Sequence, residues 1–129
     1  VPTDIVSDTV KYIPTESLIQ HEWKTHGTCS GLNVKDYFAA VKKARDAVSI
    51  PPYLRAPSLK RDMAPAEILR SFAVSNASFP MDSFRVACIT ATRDLQEVRV
   101  CLDKNLSPIS CPRSLGSCPI SSVILLPTK

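Results

Sequence analysis

Apolar residues recur at helical spacing through the first half of the chain and at strand spacing in the second. Residues 3–12 predict a short helix that ends before Pro14. The run from Glu16 to Gly27 follows Thr15, a residue suited to capping, and stops at a glycine, so one to two helical turns are expected there. Asn33 then caps the clearest helix, Val34 to Val48, which places Tyr37, Phe38, Val41, Ala44 and Val48 on one face. Lys42, Lys43, Arg45 and Asp46 lie mostly off that face and read as solvated.

Pro51 and Pro52 end this helix, and residues 51–63, rich in proline and basic side chains, are expected to be loop. Ala64 to Ala73 predicts a further amphipathic helix, with Pro65 near its first turn and Ile68, Leu69 and Phe72 facing inward. After Pro80 the period changes. Phe84 to Thr90 and Leu95 to Leu102 read as antiparallel strands, and Ser121 to Leu126 as a third. Helices followed by strands predict an α+β fold, with helices packed on an antiparallel sheet.

Length and composition agree with one domain. The chain has 129 residues, 44% of them apolar, enough for a core. No stretch approaches the ~20 apolar residues of a membrane helix, so a soluble protein without a membrane partner is expected. A net charge of +4 would suit a polyanion, but many ordinary domains are equally basic.

The five cysteines narrow the class further. Cys29 stands alone, while Cys88, Cys101, Cys111 and Cys118 crowd the last third among Pro and Ser. No pair has the two-residue spacing of a zinc knuckle or redox motif, which points to a disulfide framework in a secreted or periplasmic setting. Four cysteines allow three pairings, and spacing does not choose among them. A hairpin turning near Thr92 and Arg93 sets Cys88 opposite Glu97 rather than Cys101, which leans toward a nested arrangement. Cys29 is left over, as a buried free thiol or as one half of a disulfide to a segment outside these residues. With no Met start and no signal-peptide core, Val1 reads as a processed or cleaved end.

One stretch is chemically dense: His21-Glu22-Trp23-Lys24-Thr25-His26-Gly27-Thr28-Cys29. A zinc-protease helix needs its two histidines four residues apart, on one face. Here they are five apart, about 140° around a helix, so no metal site is expected. Glu22 and His26 are the pair that share a face. Imidazole exchanges protons near neutral pH, and a neighbouring cation can hold a phosphate and stabilise the charge that grows on it. RNA brings its own nucleophile, the 2′-hydroxyl, so its cleavage requires a base, an acid and cations but no cofactor.

The segment resembles the second active-site motif of the ribonuclease T2 family, His-Glu-Trp-x-Lys-His-Gly-Thr-Cys, matching seven of the eight specified positions. Asp36-Tyr37-Phe38 resembles the start of that family's next helix. The segment from Leu95 to Asp103 is similar to its late strand, with the Cys-Pro and Cys of its C-terminal disulfides following. The resemblance implies a metal-independent endoribonuclease that cuts single-stranded RNA through a 2′,3′-cyclic phosphate to a 3′-phosphate. It implies His26 as one of the acid/base pair, His21 on the phosphate, and Glu22 supporting the transition state. Lys24 and Trp23 are candidate substrate contacts, with Trp23 favoured as packing in the site wall. It also implies Cys88–Cys118 and Cys101–Cys111, with Cys29 bonded to the N-terminal half.

Two departures qualify this. The family lysine before the second histidine is Thr25 here, with Lys24 one place earlier and ~100° around the helix. The family's other segment, His-Gly-Leu-Trp-Pro, which supplies the partner histidine, does not occur in these residues. Residues 1–129 are therefore expected to be the C-terminal part of a larger ribonuclease fold. The alternatives are a catalytically incomplete fragment that binds RNA or a protein without cutting, and a plain disulfide-stapled domain.

Overall fold

A computed structural model describes residues 1–55 and 59–126. The chain divides into two compact units, Val1–Val48 and Ser49–Lys129.

The first unit is helical. Helices α1 (Thr3–Thr9), α2 (Glu16–Thr25) and α3 (Val34–Asp46) surround a core of Val6, Ile19 and Phe38, with Ile5, Ile13, Trp23 and Tyr37 packed against it. Helix α1 stops earlier than its pattern predicted. Thr9 is buried, and its carbonyl accepts both Tyr12 N and Ile13 N, turning the chain before Pro14. Helix α2 is longer than expected, ten residues rather than one or two turns. Thr15 Oγ1 accepts Leu18 N at 3.2 Å to open it, and the burial of Ile19 and Trp23 against the core carries it onward. Asn33 caps α3 as expected, its Oδ1 accepting Asp36 N at 2.8 Å while its Nδ2 donates to the Asp36 carboxylate.

The second unit is α+β. Helix α4 (Pro52–Arg55), strand β1 (Arg61–Met63), helix α5 (Pro65–Ser75) and strands β2 (Phe84–Ile89), β3 (Asp94–Val100) and β4 (Val123–Leu125) follow in order. The sheet runs β1-β4-β3-β2. Helix α5 lays Ile68 and Phe72 on it, and Phe84 meets Phe72 at 5.4 Å and Phe79 at 5.9 Å between ring centroids. Met63, Val86, Val123 and Leu125 complete the core.

The α+β class and the stapled C-terminal region are as the pattern implied, with three differences. Residues 51–63 are not simply loop. They hold α4 and the edge strand β1, because Met63 is buried and the strand pairs with β4 through Arg61↔Leu125 and Met63↔Val123. Residues 56–58 of that stretch lie outside those described. Two pairings are antiparallel as expected, but β3 and β4 meet in parallel at Asp94↔Ile124, so the sheet is mixed. Finally, a bulge sets Cys88 opposite Leu95, not Glu97.

The disulfides are Cys88–Cys118 and Cys101–Cys111, the nested pairing. From loop closure alone, they stabilise by about 3–4 and about 3 kcal/mol respectively. Asn76, buried at the end of α5, fills its side chain: Oδ1 accepts Ser49 N at 2.7 Å, and Nδ2 donates to the carbonyls of Ser49 and Phe72 at 2.9 Å each.

Candidate active site

The dense segment occupies the last turns of α2 and the one-turn 3-10 helix Gly27–Cys29. Ile19 is fully buried, and Trp23, one turn on, continues the inward stripe. His21 and Lys24 fall on the outer side of α2 and are exposed. Among the described residues, neither side chain has an ion-pair or hydrogen-bond partner.

Glu22 and His26 lie one turn apart on a common face, as the spacing predicted, with His26 Nε2 4.0 Å from Glu22 Oε2. The imidazole is open to solvent while the carboxylate is about one-third exposed. His26 is also the C-cap of α2, its N–H bonded to the Glu22 carbonyl at 3.0 Å. Backbone position and side-chain pairing therefore depend on the same residue.

The turn after His26 is held from both sides. Thr28 Oγ1 donates to the Lys24 carbonyl at 3.0 Å, and Ser30 Oγ donates to the Gly27 carbonyl at 2.6 Å. Gly27 is buried against the Trp23 ring, and a Cβ there would land inside that ring's van der Waals envelope. Close approach, not backbone torsion, demands this glycine. Trp23 packs edge-on against Tyr37 of α3, ring centroids 5.6 Å apart. The Tyr37 phenol is held above its ordinary pKa, first by burial and then by the negative charge of Glu22. Tyr37 thus flanks the site from α3. Its place on the inward face of that helix was legible, but its approach to Glu22 and Trp23 was not.

Lys24 is some 200° around α2 from Glu22, on the far side from the Glu22–His26 face. The helix is regular through Thr25, so this placement follows from the sequence order itself. Cys29 is a free, exposed thiol, so its reading as a buried one is corrected. It ends the short 3-10 helix and is open to solvent.

The family model of the ribonuclease T2 family matches residues 7–111. That span holds the whole of residues 21–29 and most of both units. The chain belongs to the ribonuclease T2 family. No curated protein and no solved structure matches it significantly. Membership of this family points to RNA endonuclease activity, and so to an enzyme. No helix is long and apolar enough to cross a membrane.

Proposed function

We propose that this chain supplies one half of the acid/base machinery of a T2-type endoribonuclease acting on single-stranded RNA. The reaction is transesterification to a 2′,3′-cyclic phosphate followed by hydrolysis to a 3′-phosphate. The observation that carries this reading is the Glu22–His26 pair, one turn apart and 4.0 Å from each other, inside the segment that matches the family. His26, open to solvent, exchanges the proton. Glu22, 4.0 Å away on the same face, supports the charge that develops in the transition state. His21 contacts the phosphate, Lys24 reaches it through its flexible stem, and Trp23 forms the wall. The 2′-hydroxyl is the nucleophile, so no cofactor or metal takes part in the scheme.

The partner histidine comes from a His-Gly-Leu-Trp-Pro segment outside residues 1–129, which act as the C-terminal part of a larger ribonuclease fold. Cys29 is the attachment point: it is exposed and sits three residues after His26. The two disulfides support a secreted or periplasmic protein. The intact mass of the native protein, before and after reduction, tests the arrangement. Release of a second polypeptide on reduction is the expected result. A mass equal to this chain with two disulfides and a free thiol would contradict it.

A second reading is favoured by one observation, the placement of Lys24 on the side of α2 away from the Glu22–His26 face: the chain binds RNA or a protein partner without cutting. Binding that persists unchanged in His26→Ala, with no turnover, would select it.

A further inference from the structure

The second unit holds a concave pocket of about 240 Å³ between one face of the β2–β3 hairpin and residues 115–119. Its lining contains an arrangement that strand pairing disfavours. Arg85 and Arg99 are direct partners across the antiparallel pair, where like charges repel. Each is balanced by a carboxylate: Arg85 Nη1 donates to Asp82 Oδ1 at 2.8 Å, and Arg99 Nε to Glu97 Oε1 at 2.6 Å. Neither carboxylate lines the pocket.

The two arginines are used differently. Arg85 also donates to the carbonyls of Asp82, Phe84 and Cys111, and its side chain is 17% exposed, so it clamps the fold. Arg99 engages only Nε among the described residues, and its side chain is 41% exposed, leaving both Nη atoms able to donate. Gln96 is the extra residue of the bulge between the Ala87↔Glu97 and Cys88↔Leu95 pairs, and it lines the same pocket. Bulges re-aim side chains in this way. On the opposite wall, Cys88–Cys118 and the bond from Cys118 N to the Val86 carbonyl, 2.8 Å, fix the loop, and Gly116 turns it at φ +69° ahead of Ser117. The Gln96 amide and Ser117 hydroxyl have no protein partner among the described residues. Unspent donors on facing walls of one pocket suit an oxyanion.

We propose that this pocket, built from residues other than 21–29, is an accessory subsite for a phosphodiester group of a single-stranded polynucleotide. Two arginines balanced by two carboxylates leave little net charge, so recognition falls to the free donors of Gln96, Arg99 and Ser117. That favours the singly charged phosphodiester over a doubly charged phosphomonoester. Only the identity of the polymer as RNA rests on the function proposed above.

The test titrates the native protein with a short single-stranded oligodeoxynucleotide, followed by amide NMR and fluorescence anisotropy. This probe lacks the 2′-hydroxyl and is bound without being cut, so the result is independent of whether the protein is a ribonuclease. The expected result is a shift of the Gln96 side-chain amide and the Gly116 and Ser117 backbone amides. Arg99→Gln combined with Gln96→Ala is expected to weaken binding about tenfold and to reduce the salt slope by about one. Unchanged affinity in that double variant, with shifts confined to other residues, would overturn the proposal. Inorganic phosphate supplies the second arm. If it shifts the same amides at equal or lower concentration, the pocket takes free phosphate, and the polynucleotide assignment is overturned.

Discussion

The two units solve the problem of stability by different means, and the proposed site lies in the one that holds no disulfide among its described residues. In the first unit three helices pack around Val6, Ile19 and Phe38, and side-chain caps at Thr15 and Asn33 hold the starts of α2 and α3. Its one cysteine is exposed and unpaired. The second unit has a larger core beneath a mixed sheet, and two nested disulfides tie its strands to the loops that follow them. The exposed, polar residues proposed for the site, His21, Lys24 and His26, contribute nothing to a core. They need a scaffold fixed from behind, which Trp23 packed between Gly27 and Tyr37 supplies.

This contrast can be broken most sharply at His26. Replacing it with alanine should reduce RNA cleavage by about 10²–10⁴-fold, while thermal unfolding stays nearly unchanged because the imidazole is exposed. A large fall in melting temperature would show that the residue is structural instead.

Next in size are the staples. Replacing Cys88 and Cys118 with alanine should destabilise the second unit by about 3–4 kcal/mol, and the Cys101/Cys111 pair by about 3. Hydrogen exchange resolved by residue should locate the loss in residues 49–126 and leave α1 to α3 as protected as before. Equal deprotection of both units would mean that they unfold as one.

Gly27→Ala reverses the test. The added methyl meets the Trp23 ring, so the first unit should lose about 1–3 kcal/mol, and cleavage should fall with it as the turn that follows His26 is displaced. Retained stability and activity would remove Trp23 from its supporting role.

The smallest effect is in alkali. Burial, and then Glu22, raise the Tyr37 phenol in the folded state above its unfolded value. The folded state therefore binds this proton more tightly. The contribution is complete below about pH 10 and is lost as the pH rises through the folded pKa. Glu22→Gln should bring the Tyr37 titration, followed by NMR, part of the way back and no further, since burial is the larger cause. No change would place Glu22 away from the phenol.

What could be read from the sequence was local. The caps at Thr15 and Asn33, the inward faces of α3 and α5, the change to strand period after Pro80 and the shared face of Glu22 and His26 all depend on residues a few positions apart. What escaped depends on distant ones. Strand β1 exists because Met63 is buried and pairs with Val123, sixty positions on, and its proline-rich, basic flanks conceal it. The bulge at Gln96 and the parallel meeting of Asp94 with Ile124 leave no periodic trace. At the site, Gly27 was recognisable as part of a motif, but its reason, the ring of Trp23 lying against it, appears only in three dimensions.

The most direct test of the central claim is to identify the ends of the RNA fragments made by the native protein in chelator, beside those made by its His26→Ala variant. The account predicts 2′,3′-cyclic phosphate ends that convert to 3′-phosphates, and their loss in the variant. Fragments ending in a 3′-hydroxyl, or cyclic ends formed at an undiminished rate without His26, would contradict it.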